Sequence, residues 1–511
     1  MHLAQLWSDL KSIRVPETGW PRPPGGRMPV AHPPAVGWHA FPVTMMLARR
    51  SRAAMKACIT ILAALATCSG PALAGDLSPA LGGDTTVDVT GERAFRSIAA
   101  NAAGRSRARF TFGQQLFNTV WEPAPGSQPT TDGLGPVFNR SACADCHVNN
   151  GRGRAPAAPD EPMESILVRI SLYGEGPHGE PLGVPGYGDQ LQDRSIDGVA
   201  AEGTAHMTWE AVPGEYADGT PYSLRRPILN FTALAFGELP GDTRVSVRIA
   251  SPLIGLGLLE AIPERTLHDL ADPDDEDQDG ISGRINIVWD AVNNREAVGR
   301  FGWKANQPSV RQQNAGAAIG DMGLTTPVFP NDNCADGQVA CARVAADVAD
   351  SPEIMASFFD PLVRYTQLVG VPRQRDADTP KVLAGLSMFN AIGCSNCHRP
   401  TLVTGDSELE ELANQTIHPF TDLLLHDLGL GLADHRHDFL ATGREWRTAP
   451  LWGIGLTLDV SGFEAYLHDG RARTLSEAIL WHGGEAEPVR EAFRALNEAQ
   501  RDELLAFLQS I

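Results

Sequence analysis

The sequence lacks a surplus of positive charge. Its 511 residues contain 42 Lys and Arg against 62 Asp and Glu, which gives a formal net charge of -20 at pH 7. Proteins that bind nucleic acid neutralise phosphates with a basic surface, so this balance argues against a nucleic-acid partner. The same deficit gives no support for binding to anionic lipid. An acidic surface suits a basic partner protein, although many acidic proteins only gain solubility from it.

Long apolar runs are also missing, since spanning a bilayer takes about 20 such residues. The run at 57–67 is shorter, follows a basic patch at 49–56 and precedes the small residues Ala72-Leu73-Ala74. This is the layout of a secretory signal that is cleaved before Gly75. We therefore expect residues 1–74 to be a leader and signal peptide, no transmembrane segment, and export of the mature chain to the periplasm.

Cysteine is scarce, with eight residues in the chain, and each can be assigned from its neighbours. Two lie in the expected signal peptide, and four belong to two C-x-x-C-H pentads at 143–147 and 394–398. The remaining pair, Cys334 and Cys341, lies in a loop rich in turn-forming residues. In an oxidising compartment this pair is expected to form a disulfide, and the alternative is two free thiols.

The C-x-x-C-H spacing is that of covalent haem attachment. Two thiols two residues apart reach the vinyl groups of one haem, and the adjacent imidazole binds the iron. The alternatives are a thioredoxin-like redox pair and a zinc knuckle, which need a βαβ pattern or a second C-x-x-C nearby. We therefore predict two covalently bound c-type haems. Their attachment residues are Cys143, Cys146 and His147 for the first, and Cys394, Cys397 and His398 for the second.

Apolar residues recur at helical spacing before both pentads, and another helix is predicted over 490–508. The segment 165–260 differs, because short β-like runs lie between its Gly- and Pro-rich turns. We therefore predict a mainly α fold of two cytochrome c-type haem domains, with a partly β, loop-rich insertion in the first. The expected boundaries are 75–377 for the N-terminal haem domain and 378–511 for the C-terminal cytochrome c-type domain.

An acidic loop carries aspartates at alternate positions, Asp275, Asp277 and Asp279, followed by Gly280. Carboxylates at this spacing can wrap one hard cation, and the glycine permits a sharp turn. Position twelve is Asn286, where an EF-hand has a bidentate Glu. The pattern predicts a structural calcium site, and the alternative is a solvated acidic loop.

Beyond the pentads, several motifs occur together: GPVFN at 135–139, GRG at 151–153, GRFGWKA at 299–305, EWRTAPLWG at 445–453 and LHDGRA at 467–472. With these motifs the chain resembles the di-haem oxidoreductase family, which is related to the bacterial di-haem cytochrome c peroxidases. The resemblance covers nearly all of residues 95–511. It implies two haems, with peroxide as substrate and a small cytochrome or cupredoxin as electron donor.

The resemblance also implies axial ligands. Its spacing places His482 as the sixth ligand of the second haem, with His468 as the runner-up; without the family, His482 is an ordinary loop residue. For the first haem no distal ligand is assigned among Met163, His178 and His206. Arg447 and Arg471 are either propionate partners or solvated surface residues.

For catalysis the resemblance implies three further residues near the first haem. Trp303 would relay an electron between the haems, Gln313 would hold the peroxide by hydrogen bonds, and Asp321 would be the acid–base group. The alternatives are that Trp303 is a core residue and that Asp321 caps a turn beside two glycines. Two rival functions also remain open: a non-catalytic di-haem electron carrier, and a di-haem enzyme that oxidises a protein substrate.

Overall fold

A computed structural model of the chain describes residues 77–159, 161–348 and 352–511. The expected leader and signal peptide at 1–74 lies outside the described residues. In the part described, no helix combines the length and apolar character that crossing a membrane requires. The described residues belong to one compact unit. The expected division between residues 377 and 378 stays a prediction.

The helices of the described residues are short segments distributed along the whole unit. They are α1 (Gly104–Phe117), α2 (Cys143–Cys146), α3 (Leu256–Glu260), α4 (Glu264–Leu270), α5 (Val310–Met322), α6 (Val339–Val348), α7 (Ala356–Gln367), α8 (Pro380–Ala391), α9 (Thr457–Ser461), α10 (Leu475–Leu480), α11 (Glu487–Ala495) and α12 (Glu498–Ser510). Single 3₁₀ turns lie at Gly83–Thr85, Gly91–Arg93, Val148–Asn150, Cys394–Asn396, Glu410–Leu412, Ile454–Leu456 and Gly484–Ala486.

The strands form antiparallel pairs. They are β1 (Val137–Phe138), β2 (Ile166–Ser171), β3 (Arg194–Ser195), β4 (Thr204–Glu215), β5 (Pro221–Thr232), β6 (Arg244–Ile249), β7 (Ile287–Asp290), β8 (Arg295–Val298), β9 (Leu402–Val403), β10 (Thr416–Ile417), β11 (Leu425–Asp427) and β12 (Glu445–Arg447). The pairs are β1 with β3, β2 with β6, β4 with β5, β7 with β8, β9 with β10, and β11 with β12.

The prediction of a mainly α, cytochrome c-type fold is wrong. Only 30% of the structure is helical and 18% is strand. The strands are also not confined to the expected insertion, because β9 to β12 lie beyond residue 400. The physical reason is the density of residues that end helices: the chain contains 51 Gly and 38 Pro, which divide the apolar periodicity into short pieces.

The β-like runs expected within residues 165–260 are confirmed, and two of the strands, β2 and β6, pair with each other. In β2 and β6, Val168 lies opposite Val247, and both side chains are buried. The long hairpin of β4 and β5 was not predicted. Its strands pair over their full length, and Met207 and Leu224 point into the interior.

Helix α1 precedes the first pentad and crosses α7 at very short range. A Cβ on Gly113 would lie 2.1 Å from the backbone oxygen of Pro361, so only glycine fits at this crossing. The rings of Phe110 and Tyr365 then pack with their centroids 4.8 Å apart. Tyr365 also donates a hydrogen bond of 2.8 Å to Asn150, three residues after His147, so the helix pair anchors the pentad loop.

Helix α8 precedes the second pentad and crosses α12 in the same way. A Cβ on Gly385 would lie 2.0 Å from the backbone oxygen of Glu503. The helix predicted over 490–508 is in fact two helices, because the helical conformation is interrupted between α11 and α12. Asn497 caps α12 by accepting a hydrogen bond of 3.0 Å from the backbone of Gln500.

Candidate functional site

The first pentad opens onto a large cavity. Cys143 begins α2, Cys146 ends it, and His147 follows immediately. All three side chains line a cavity of 780 Å³. Neither cysteine takes part in a disulfide. Both sulfurs are therefore available at the cavity wall, with an imidazole beside them.

The second pentad lines a smaller cavity of 180 Å³. Cys394 begins a 3₁₀ turn, and Cys397 and His398 follow it. The Nδ1 of His398 donates a hydrogen bond of 2.9 Å to the backbone oxygen of Phe420, which leaves the Nε2 lone pair free. This tautomer is the one that a metal-binding histidine adopts.

Burial sets the protonation state of the pentads. Desolvation raises the pKa of Cys143, Cys146 and Cys394 to about 12, so these thiols stay protonated. Reactive or zinc-binding cysteines need the thiolate, which burial here disfavours. Desolvation also lowers the pKa of His147 and His398 to about 4, so both imidazoles are neutral and able to bind a metal.

Two histidines are candidates for the predicted sixth ligand, and both line the second cavity. The Nδ1 of His482 donates a hydrogen bond of 2.8 Å to the backbone oxygen of Ala478, so its Nε2 is free. His398 and His482 both line the second cavity. In contrast, His468 stacks on Trp446 with ring centroids 3.7 Å apart, and its Nε2 lies 3.5 Å from Asp469. The geometry favours His482, and its role stays a prediction.

Trp303 lines both cavities. Its Nε1 donates a hydrogen bond of 2.9 Å to the backbone oxygen of Ile249, and the ring also packs against the hydrophobic core. Trp303 can therefore be a core residue and also the predicted electron relay. An aromatic ring at this position is suitably placed to connect the two cavities.

One face of α5 forms a wall of the first cavity. Ser309 caps the helix by accepting a hydrogen bond of 3.1 Å from the backbone of Gln312. Gln313, Gly316, Ala317, Gly320 and Asp321 recur at helical spacing, and all line the cavity. A Cβ on either glycine would meet no backbone atom within 4 Å, so the small residues leave room for a flat ligand. The Oε1 of Gln313 is buried without a hydrogen-bond partner in the part of the chain described.

Asp321 has a perturbed pKa. Desolvation raises the pKa of this carboxyl to about 6, against its ordinary value of 3.8. Its Oδ1 accepts a hydrogen bond of 3.0 Å from Gln190, so the side chain does not cap the turn that follows α5. The group that ends α5 is instead Gly323, in the left-handed conformation. Asp321 is therefore a carboxyl able to exchange a proton near neutral pH, at the wall of the first cavity.

The acidic loop groups different residues from those in the sequence motif. Carboxylate oxygens of Asp272, Asp275 and Asp277 lie within 4.8 Å of one another. The side chain of Asp279 accepts a hydrogen bond from the backbone of Ile281 and is not part of this group. Asn286 is buried and donates to the backbone oxygens of Lys304 and Asp438, so it lies outside the group as well. The alternate-residue pattern therefore identified two members of the cluster and missed the third.

The structure also locates the predicted disulfide and the residues left unassigned as distal ligands. Cys334 and Cys341 are joined by a disulfide in the structure. Of the residues considered opposite the first pentad, His178 lines the first cavity, and its ring stacks on Trp289 at 3.9 Å. Met163 is buried in a hydrophobic cluster with Ile166, Val168 and Val247, and His206 lies 2.9 Å from the hydroxyl of Thr232.

The arginines at the site differ from the expectation. Arg471 forms a salt bridge of 2.6 Å with Asp469, so its charge is already neutralised. Arg447 lines both cavities without a carboxylate partner among the described residues. Arg152 does the same and was not singled out from the sequence, although it is the centre of the GRG motif that follows the first pentad. A charged residue between two glycines, shortly after the first C-x-x-C-H pentad, was available as a signal in the sequence.

Comparison with known proteins identifies a family. The chain matches the family described as "Di-haem oxidoreductase, putative peroxidase" over residues 77–511. No curated protein matches the chain. The solved structure of Kuenenia stuttgartiensis hydrazine synthase under 20 bar of xenon has 14% identity, with 84% of this chain and 94% of that chain covered. Its TM-score of 0.31 is too low to support an argument. The family match includes both pentads and both cavities, and the chain therefore belongs to the di-haem oxidoreductase family.

Proposed function

We propose that this di-haem oxidoreductase is a periplasmic enzyme that reduces a peroxide, with electrons supplied by a small redox protein. The observation that carries the proposal is the wall of the first cavity. There α5 brings Gln313 and Asp321 to the same space as the first pentad, and Trp303 lies between that space and the second cavity. An electron carrier alone has no need of a proton-exchanging carboxyl at this position.

The proposal includes covalent attachment of both haems. Cys143 and Cys146 would hold the first, and Cys394 and Cys397 the second, with His147 and His398 as iron ligands. The residues fit this group, because the four thiols are free and neutral imidazoles lie beside them. When bound, the haems supply the redox-active iron and accept electrons.

Asp321 would move the proton that peroxide cleavage requires. In its ionised form the carboxylate would take the proton from the near oxygen of the peroxide and return it to the leaving oxygen, which departs as water when the O–O bond breaks. The remaining oxygen would leave as a second water, with two electrons from the redox donor and two protons from solvent. A pKa of about 6 suits both halves of this transfer near neutral pH. The unpartnered Oε1 and the amide of Gln313 would orient the peroxide by hydrogen bonds.

Trp303 would connect the two redox centres, since it borders both cavities. The donor is expected to be a small cytochrome or cupredoxin, and the net charge of -20 favours a donor with a basic surface. Within the same proposal, Asp272, Asp275 and Asp277 bind a structural Ca²⁺, a cation that prefers carboxylate oxygens.

The proposal is tested by mixing the reduced holoprotein with hydrogen peroxide in a stopped-flow instrument. Rapid reoxidation, with sustained turnover when a reduced donor is added, is the expected result. Two six-coordinate haems that do not react with peroxide would instead identify an electron carrier. Reoxidation without donor turnover, together with oxidation of an added protein, would identify an enzyme with a protein substrate.

The matched variants are Asp321→Asn and Asp360→Asn. Asp321→Asn keeps the oxygen that accepts from Gln190 but removes the proton-transfer group, so turnover is expected to fall about 10²- to 10⁴-fold. Asp360 lies on the surface, paired with Arg311, and its variant should keep wild-type turnover. Equal rates for the two variants would remove Asp321 from the mechanism.

A further inference from the structure

We propose that Arg152 and Arg447 form a cationic clamp, shared by the two cavities, that binds propionate carboxylates of the haems. The inference rests on the proposed presence of haem in both cavities and assigns the residues that neutralise its acidic side chains. Arginine suits this role, because its planar guanidinium forms paired hydrogen bonds with carboxylates.

The two residues stand out among the arginines of the site. Six arginines line the two cavities: Arg140, Arg152, Arg169, Arg248, Arg447 and Arg490. Four of them form salt bridges, with Asp193, Asp189, Asp438 and Glu487 as partners. The two without a carboxylate partner among the described residues, Arg152 and Arg447, are also the two that line both cavities.

Arg152 is a buried charge whose partner is missing from the described part of the protein. Its exposure is 6%, and its Nε is buried without a hydrogen bond. The guanidinium carbon lies 5.8 Å from the ring centroid of Trp303 and 5.9 Å from that of Tyr466. Burial lowers the pKa of Arg152 to about 10, so the group remains cationic at neutral pH. A buried, unpaired cation is costly, and a carboxylate delivered by the cofactor would offset that cost.

Arg447 is held in place through two of its three guanidinium nitrogens. Its Nε donates a hydrogen bond of 2.9 Å to the backbone oxygen of Gly302, and its Nη1 donates one of 3.2 Å to that of Thr448. The Nη2 makes no hydrogen bond within the described ranges, so a donor remains for a carboxylate. Both backbone acceptors are uncharged, so the positive charge has no ion pair among the residues that the structure describes.

The position of the clamp has an electrochemical consequence. A cation that borders both cavities stabilises the more negative, reduced state of each haem, and so raises both reduction potentials. Four unconnected arginines, one beside each propionate, would not give this coupling. Loss of one clamp residue is therefore expected to lower the potentials of both haems together.

The experiment compares Arg152→Gln, Arg447→Gln and Arg152→Lys in the matured holoprotein. Spectroelectrochemical titration measures the potential of each haem, and resonance Raman spectroscopy follows the propionate-bending bands. Haem content is measured separately from the pyridine haemochrome spectrum. The matched control is Arg265→Gln, which removes one positive charge from a side chain that is 90% exposed.

The clamp predicts that both glutamine variants lower both potentials and shift the propionate bands, while Arg265→Gln changes neither. Arg152→Lys should leave both reduction potentials close to those of the wild type, since it keeps the positive charge. It should still shift the propionate bands, because lysine lacks the planar guanidinium that forms paired hydrogen bonds with a carboxylate. Unchanged bands and potentials in a fully loaded Arg152→Gln protein would overturn the proposal. If that variant does not mature, unchanged bands in Arg152→Lys would overturn it equally.

The outcome is separable from that of the proposed function. Shifted bands and potentials in a protein that does not turn over peroxide would support the clamp and contradict peroxidase activity. Normal peroxide turnover with unaltered propionate bands in the variants would support peroxidase activity and contradict the clamp. A wild-type protein matured without haem would contradict both.

Discussion

At the scale of single residues, burial is the main influence on the chemistry of the first cavity. It keeps Cys143 and Cys146 protonated and His147 neutral, and it raises the pKa of Asp321 to about 6. The proposed haem attachment uses the thiols, metal ligation uses the neutral imidazole, and proton transfer uses a carboxyl that titrates near neutral pH. The same desolvation therefore supports each proposed role.

The raised pKa of Asp321 predicts a stability effect as well as a catalytic one. Because the folded-state pKa of Asp321 lies above the ordinary 3.8, the protonated carboxyl favours the folded state and ionisation costs stability. This contribution to stability is complete below pH 3.8 and is lost as pH rises through about 6. Asp321→Asn should therefore raise the free energy of unfolding by about 1–3 kcal/mol at pH 7, and by little at pH 4. Denaturant titrations at the two pH values measure this difference. A variant less stable than wild type at pH 7 would contradict it.

His482 and His468 are distinguished by the spectrum of the second haem. His482→Ala should abolish the low-spin, six-coordinate spectrum of that haem, because the free Nε2 of His482 is the proposed sixth ligand. His468→Gln should leave the haem low-spin, since the His468 ring is engaged with Trp446 and Asp469. Absorption and EPR spectra of the two variants provide the comparison. The reverse pattern would assign the ligand to His468.

At the scale of elements, two helix crossings place the pentads. Helix α1 crosses α7 at Gly113, and α8 crosses α12 at Gly385, and each crossing supports the loop that carries one pentad. Sequence periodicity predicted that helices precede both pentads, and the structure confirms α1 and α8. It did not predict which helices they cross, because a partner helix is distant in sequence.

The first crossing predicts an effect opposite to helix propensity. Gly113→Ala should destabilise the protein by about 1–3 kcal/mol, because the new methyl group would overlap the backbone of Pro361. In an exposed helix the same change stabilises by up to about 1 kcal/mol. Gly241→Ala is the control, since a Cβ there meets nothing within 4 Å. Thermal unfolding of the three proteins tests this, and a Gly113→Ala variant as stable as wild type would show that the crossing can relax.

The acidic loop gives a second prediction at this scale. If Ca²⁺ binds where the carboxylates converge, Asp272→Asn should weaken calcium binding more than Asp279→Asn, because only Asp272 belongs to the cluster. Calorimetric titration of the chelator-treated protein with Ca²⁺ measures both affinities. The Ser282 hydroxyl at the end of this loop donates a hydrogen bond of 3.0 Å to Glu485, which lines the second cavity. A larger effect of Asp279→Asn would favour the arrangement expected from the sequence motif.

At the scale of the whole molecule, the two cavities share a wall. Trp303, Arg152 and Arg447 border both, so this boundary is where electron transfer and cofactor charge would meet. The residues come from widely separated parts of the chain. The boundary is therefore a product of the whole compact unit and not of either pentad alone.

The net charge predicts how the protein meets its electron donor. With a formal charge of -20, the second-order rate constant for reduction by a basic cytochrome should fall about 10-fold or more as salt rises from 10 mM to 0.5 M. Electrostatic steering is screened over this range, whereas the reaction with neutral peroxide should change little. Stopped-flow rates at several salt concentrations measure both steps. A donor reaction insensitive to salt would argue against a basic partner.

The sequence by itself determined the features that are local along the chain. The disulfide pair lies in one loop and was identified from its spacing. The two thiols and the imidazole of each pentad lie within five residues, so spacing alone predicted haem attachment, which stays a proposal. Only the tertiary structure decided the features that join distant segments. These include the β2–β6 pairing, the addition of Asp272 to the acidic cluster, and the position of Arg152 between two cavities. The mainly α expectation failed for the same reason, because strand pairing and burial depend on contacts that no local pattern records.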